Sequence, residues 1–491
     1  MPSAKSSVTR LNWPKPEGKQ TLKKLTPTMN SIFAKRLAYL AWLGFWLAGA
    51  AVPAADFQAG VARAKITPPT PFWLSGYAAR TNPAPVVLQD LWAKALALRD
   101  PQGHRVVIVT MDLIGLPRNV ADAVAGRLHQ RLKLNRADLL LNCSHTHCGP
   151  TVGRNLSVMF DFDEAEARRV VQYADSLTEK LARVAEVALQ NLSPANLAAG
   201  KSEVGFAVNR RAPTPKGVRL GVNTNGPVDH SVPVLRVTAP DGSLRAALFG
   251  YACHNTTLGG DFYQINGDYA GHAQAEFEAA HPGATGMFLM LCGGDANPNP
   301  RGKLENARQY GSELAAAAAR ALAGEMRPVR PPIRTAVEVV RLDFAPHTRA
   351  TFEEEAQGKD KYRQRRARLM LTAYDQGKPV REMTYPLQAI RFNQDLTLLA
   401  LSGEVVVDYN LRARQEFPGE NLVVAGYCHE VMCYIPSKRV LLEGGYEPVD
   451  SMTYYGMPGP FAETVEERIF AGIHKVLKRV GARPGPATGA K

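Results

Sequence analysis

Apolar and polar positions change rhythm several times along the chain, and each rhythm predicts an element. AGVARAKITPPTPFWLSGYAAR reads as a strand followed by a proline-rich loop. LWAKALALRDPQGHRVVIVTMDLIGL holds two apolar runs about a DPQG turn and predicts a β-hairpin. Residues 120–133 carry helical spacing, and ADLLLNCSHTH follows as a strand. A helix is expected from about 163 to 191, a second hairpin at SVPVLRVTAPDGSLRAALFGYACH, and an Ala-rich helix over roughly 304–324. The charged stretch 353–377 predicts one solvated helix. Strands and helices are mixed without the regular alternation of a barrel or a doubly wound sheet, and no internal repeat occurs. The expectation is an α/β fold with one large domain over about residues 56–480, ending in a frayed tail at 481–491.

Composition is ordinary for a globular protein: 491 residues, 45% hydrophobic and 21% charged, enough for a large core. The formal net charge is +14, but residues 1–36 hold eight Lys/Arg against the single acid Glu17. The remainder is only mildly basic, so nucleic acid is not expected as a partner. Lys35 and Arg36 precede LAYLAWLGFWLAGAAV, sixteen residues without a charge, and then PAADF. A basic region, an apolar region and a small-residue cleavage site make a signal peptide over about 29–55, with Met29 as a candidate start. The rival reading is an uncleaved N-terminal anchor; both export the body of the protein, to the periplasm or outside the cell. Export permits disulfides among Cys143, Cys148, Cys253, Cys292, Cys428 and Cys433. No CxxC pattern occurs. All six lie near the motifs below, where they pack or cross-link strand ends.

The first motif is LNCSHTHCGP. If the strand before it continues, His145 and His147 project to one face, because side chains alternate with a period of two. Such a pair fits half of a metal site, a catalytic pair, or polar residues at a strand end. Four further stretches combine unusual polar residues with strand-end punctuation. His254 ends the apolar run ALFGYACH, and Asp295 and Asn297 follow another in LMLCGGDANPN. Glu404 follows a Ser-Gly break in LALSGEVVV, and CYIPSKRVLLEGGYEP holds Tyr434 and Tyr446. Taken singly, each reads as a structural residue.

Together, in this order from about Val61 to Tyr455, the motifs resemble the catalytic domain of the neutral, non-lysosomal ceramidases, exported zinc amidases that cleave the N-acyl bond of ceramide. The resemblance implies a single large mixed-sheet domain with flanking helices. It places zinc ligands at His145 (SHTHCGP), His254 (YACHNTT), Glu404 (SGEVVV) and Tyr434, with Tyr446 the second active-site tyrosine twelve residues on. An active-site arginine falls on Arg210 of VNRRAP, with Arg211 the competing position. Two imidazoles, a carboxylate and a phenolic oxygen are suitable zinc donors. Zinc-activated water would attack the amide, His147 would shuttle the proton, and His147, Arg210 and Tyr446 would face the oxyanion.

The sequence departs from the family in two places. The family's GDVSPN loop reads GDANPN here, so Asn297 stands at the serine position. A carboxamide binds substrate but is no nucleophile, which leaves Asn297, with Asp295, as substrate-binding residues; Asp295 also fits the fixing of its own loop. Only 45 residues follow Tyr446, so the family's C-terminal β-sandwich domain is not expected. The expected partner is ceramide, a related N-acyl lipid or another N-acyl small molecule, with peripheral membrane contact. The alternatives are a hydrolase of the same fold acting on another amide or ester, and a non-catalytic protein that keeps the metal.

Overall fold

The computed structural model describes residues 55–486. The leader up to residue 54 and the final residues 487–491 lie outside the described residues. In chain order the first strands are β1 (Phe57–Lys65), β2 (Val86–Val87), β3 (Trp92–Arg99), β4 (Arg105–Met111), β5 (Leu139–Cys143), β6 (Ser193–Glu203), β7 (Ala207–Thr214), β8 (Gly217–Asn223), β9 (Ser231–Thr238) and β10 (Leu244–Tyr251). There follow β11 (Gln264–Ile265), β12 (Thr285–Met290), β13 (Ala296–Pro298), β14 (Arg327–Val329), β15 (Ile333–Asp343), β16 (Glu382–Phe392), β17 (Leu396–Ser402), β18 (Glu404–Val405), β19 (Leu422–Cys428) and β20 (Tyr434–Ile435).

Thirteen strands form one mixed sheet in the order β12-β10-β9-β6-β1-β3-β4-β5-β19-β17-β16-β15, with β14 paired to β6. The sheet curls back on itself, since Leu291, just past β12, bridges Ala425 of β19. Its concave face closes on a core that includes Leu96, Ile108, Leu140, Leu248, Leu289, Leu398 and Val423. The other face is covered by helices. On β3 and β4, Ala93, Ala95, Val107 and Val109 belong to this outer core, while Leu96, Leu98, Val106 and Ile108 belong to the inner one. Strands buried on both faces need continuous apolar runs, and these runs are the ones visible in the sequence.

Both predicted hairpins form. In the first, Gly103 takes φ +87° and the Asp100 carboxylate accepts from the His104 N–H at 2.8 Å. In the second, Gly242 takes φ +88° in the Asp-Gly turn. The predicted helices span Arg118–Leu132, Glu164–Gln190 and Leu304–Ala323. The long second helix starts at a capping box, Asp163 with Glu166. It buries Val170, Ala174, Leu177, Leu181 and Val184 as one stripe.

Three expectations are corrected, and for the cysteines one of two alternatives is selected. The strand before the first histidines stops at Cys143, and His145 lies in the left-handed region at φ +66°. Strand alternation therefore does not place His145 and His147. The charged stretch at 353–377 is not one helix but two, Arg349–Gln357 and Lys361–Asp375, because Gly358 ends the first and Asp360 caps the second. The six cysteines are all buried free thiols. They pack the strand ends and cross-link nothing. Residues 481–486 are held to the body, with Ala482 buried and Gly485 N–H donating to Glu416 O at 2.8 Å. Among the described residues no helix is long and apolar enough to cross a membrane.

Candidate metal centre

The chain brings its polar residues together just past the carboxyl ends of strands, where sheet pairing stops and backbone is free to turn. His145 follows β5, His254 follows β10, Asp295 follows β12, Glu404 follows β17 and Tyr434 follows β19. The turns are tight. His145 N–H donates to Leu113 O, and Gly403, at φ +76°, packs against Cys433 O just before Glu404. Gly294 passes so close to the backbone of Glu404 and Val405 that a Cβ there would stand 2.7 Å from Glu404 O.

Five side chains converge. Glu404 Oε2 lies 3.0 Å from His145 Nε2 and 2.9 Å from His254 Nε2. Tyr434 Oη is 3.0 Å from His254 Nε2, and His147 Nε2 is 3.1 Å from His145 Nε2. The three imidazoles offer nitrogens within 4.8 Å of one another, and all are buried. The four ligand candidates read from the sequence thus meet in one place, with His147 inside the same cluster.

The donor set fits a divalent cation. His145 Nδ1 bonds Ile114 O at 2.6 Å and His254 Nδ1 bonds Gly293 O at 2.7 Å. A carbonyl only accepts, so both Nδ1 atoms carry the proton and both Nε2 atoms present lone pairs. Those lone pairs face a carboxylate oxygen at hydrogen-bond distance with no proton between them, an arrangement that a bound cation stabilises. Burial, aided by Arg210, pushes His254 down to about 3. Burial, then His145 and His254, pushes His147 well below its usual value. Burial thus keeps His147 and His254 neutral, the state in which an imidazole binds a metal. Tyr455 Oη donates to the other oxygen of Glu404, which fixes that carboxylate in place.

Of the adjacent arginines, Arg210 reaches the centre. Its NH2 donates to Tyr434 Oη at 2.9 Å and its NH1 to Asn297 Oδ1 at 3.3 Å. Its guanidinium lies 5.7 Å from the ring centroid of Tyr446. Arg211 points away, to Glu443 and Glu447. The β7–β8 pairing is irregular here, and although both guanidiniums meet Glu447, Arg210 alone of the two bonds Tyr434 and Asn297. Glu447, fully buried in a π-helical turn Tyr446–Asp450, also accepts from Arg210 Nε at 2.8 Å. Asn297 accepts from Thr256 Oγ1 as well, at 3.2 Å.

Asp295 is committed to the protein's own backbone and side chains. Its carboxylate accepts from Val407 N–H and the Asn209 amide, and its own carbonyl accepts from Arg210 N–H. Burial pushes its carboxyl up to about 7. It holds the loop that carries Asn297. Sequence reasoning missed Tyr77, whose ring packs 4.8 Å from that of His147, as well as Tyr455 and Glu447.

With this geometry established, comparison with known proteins places the chain. The domain described as neutral/alkaline non-lysosomal ceramidase, N-terminal, matches residues 57–334, more than half of the chain. The chain belongs to the neutral/alkaline non-lysosomal ceramidase family. Among similar family members, neutral ceramidase B of Dictyostelium discoideum is 26% identical over 226 residues, covering 43% of this chain and 31% of that protein. The neutral ceramidase of Drosophila melanogaster is 25% identical over 286 residues, covering 54% of this chain and 39% of that protein. The match thus spans less than two fifths of either relative's length. In structure, the neutral ceramidase of Pseudomonas aeruginosa superposes with a TM-score of 0.68 at 19% identity, covering 89% of this chain and 76% of that one. The large mixed sheet with flanking helices is therefore the fold this chain shares with that ceramidase.

Proposed function

We propose that this ceramidase-family chain is an exported zinc-dependent amidohydrolase that cleaves the N-acyl bond of ceramide or a related N-acyl lipid. The export reading rests on the leader at about residues 29–55 alone. The observation that carries the chemistry is the lone-pair face of His145 Nε2, His254 Nε2 and Glu404 Oε2, joined by Tyr434 Oη. These four residues would hold zinc, which when bound would supply a Lewis acid for activating water and polarising the amide carbonyl.

The chain's own residues do the rest. His147 Nε2 sits beside the ligands, and its Nδ1 has no hydrogen-bond partner among the described residues. That imidazole is neutral and is the base that takes a proton from the attacking water. It returns the proton to the departing amine nitrogen, so water and amide become carboxylic acid and amine. Arg210, held by Glu447 and bonded to Tyr434, directs its positive charge to where the carbonyl oxygen gains negative charge. Tyr446 covers Arg210, and Asn297 offers a carboxamide to the substrate's polar groups. Tyr455 fixes the ligand Glu404.

Asn297 at the family's serine position favours a second reading, the same chemistry on another amide or an ester. Fatty-acid release from a short-chain ceramide, with a chelated sample alongside, tests the first. Metal-dependent release is expected, and absence of release with zinc demonstrably bound would overturn the ceramide reading.

A further inference from the structure

Strands β13, β7 and β8 form a separate small sheet, with β8 at its edge. Its inner parts belong to the site, since Asn297 lies on β13 and Arg210 on β7. Its outer part runs out into solvent. Leu220 and Val222, beside a bulge in β8, are 52% and 57% exposed. The turn carrying Tyr446 lies against this hairpin, because Arg211, the register partner of Leu220, bonds Glu443 and Gly444 O. Gly445 touches the backbone of Val218, where a Cβ would stand 2.8 Å from its carbonyl oxygen. That turn exposes two more apolar side chains, Leu442 at 62% and Val449 at 39%.

Apolar side chains exposed in a group mark an interaction site rather than ordinary surface. Charge selects the partner. Residues 207–226 contain four cations and no acid. Arg210 and Arg211 turn inward, while Lys216 and Arg219 remain outside with no ion-pair partner among the described residues. On the neighbouring turn, Glu443 is tied to Arg211 and Arg439, which leaves Asp450 as the nearby exposed acid. Apolar side chains beside an exposed lysine and arginine match the boundary of a bilayer, acyl chains below and anionic phosphates above.

We infer that the β7–β8 hairpin and the adjoining turn at Leu442 and Val449 form a docking surface for an anionic phospholipid bilayer. The hairpin enters the interface with Leu220 and Val222, and Lys216 and Arg219 meet the phosphates. Docking sets Arg210 and Tyr446, at the hairpin's base, against the membrane, so that a bilayer-embedded acyl lipid reaches the metal centre. The purpose of this surface rests on the acyl-lipid reading above, but its test does not.

The test is co-sedimentation of the full chain with vesicles of phosphatidylcholine alone or with added phosphatidylglycerol, at low and high salt. The protein is expected to sediment with the phosphatidylglycerol vesicles and less so at high salt. The pairs Leu220→Ser with Val222→Ser and Lys216→Glu with Arg219→Glu are each expected to weaken binding at least about tenfold. Val339→Ser, at an exposed valine on β15, is expected to bind as the wild type does. Turnover of a detergent-dispersed substrate should be the same in all of them. No sedimentation of the wild type, or full sedimentation of either double variant, would overturn the inference. So would a fall in solution mass on Leu220→Ser with Val222→Ser, which would assign the face to a second copy. Vesicle binding without turnover on any substrate would fail the acyl-lipid reading and leave this one standing.

Discussion

Gly76 has no side chain where the ring of His147 passes: a Cβ at Gly76 would stand 2.3 Å from His147 Nδ1, and Gly76 holds φ +95°. A side chain there meets both a backbone conformation closed to it and an imidazole with Tyr77 packed against it. Gly76→Ala is expected to shift His147 while leaving the donors at His145, His254, Glu404 and Tyr434 in place. Misplacement of this kind costs about a hundredfold in rate. Turnover and bound zinc measured on the same sample check it: lost rate with full zinc is predicted, and unchanged rate would remove His147 from the proton path.

Among the described residues Glu447 alone joins the adjacent buried pair Arg210 and Arg211, bonding both. Glu447→Gln leaves Arg210 buried without an anionic partner, and breaking a buried pair costs about 3–5 kcal/mol. Glu443→Gln removes a pair at a carboxylate that is 33% exposed and is expected to cost under about 1 kcal/mol. Urea unfolding of the two variants gives the comparison, and equal losses would contradict the role given to Glu447.

Asn297 accepts from Arg210 and Thr256. If it binds and orients, Asn297→Ala should lower kcat/KM by about tenfold, the value of one or two hydrogen bonds. A nucleophile's removal would cost several orders of magnitude more. Steady-state kinetics separates the two, and near-complete loss would overturn the assignment.

Away from the site, His104 Nε2 lies 2.9 Å from Asp138, which also accepts from Thr335, tying the first hairpin to β15. The bond to Asp138 raises His104 above 6.5. Burial opposes ionisation of Asp138, but the bonds from His104 and Thr335 lower it below 3.8. The His104 contribution is complete below its unfolded value and fades as pH rises through the folded one. The Asp138 contribution is complete above its unfolded value and fades as pH falls. Both are present between about 4 and 6.5. His104→Ala should therefore destabilise more at about pH 5.5 than at about pH 8.5. The difference should stay under about 1 kcal/mol, because His104 is 35% exposed. Unfolding curves at the two pH values check the sign.

The elements legible in the sequence were those set by local patterns. The strands β3, β4, β9 and β10 are apolar runs joined at Gly103 and Gly242, whose positive φ their turns require. The site residues were legible as motifs, but their geometry was not. His145 faces Glu404 because of a left-handed turn, which no alternation rule foretells. Arg210 and Arg211 are equivalent in sequence, and only their distant partners, Tyr434 and Asn297 for one and Glu443 for the other, distinguish them. Tyr77, Glu447 and Tyr455 act through contacts far along the chain, Tyr77 on His147 and Tyr455 on Glu404, so no local spacing marks them. The break at Gly358 was readable, since glycine followed two residues later by a capping aspartate ends one helix and starts another.

The most direct test of the metal centre is the amount of zinc retained per chain after loading and dialysis, read by elemental analysis without any substrate. Wild type and His147→Ala are expected to hold one zinc each, and His145→Ala, His254→Ala and Glu404→Gln to hold little. If the last three variants keep zinc as the wild type does, or if His147→Ala alone loses it, the donor set described here is contradicted.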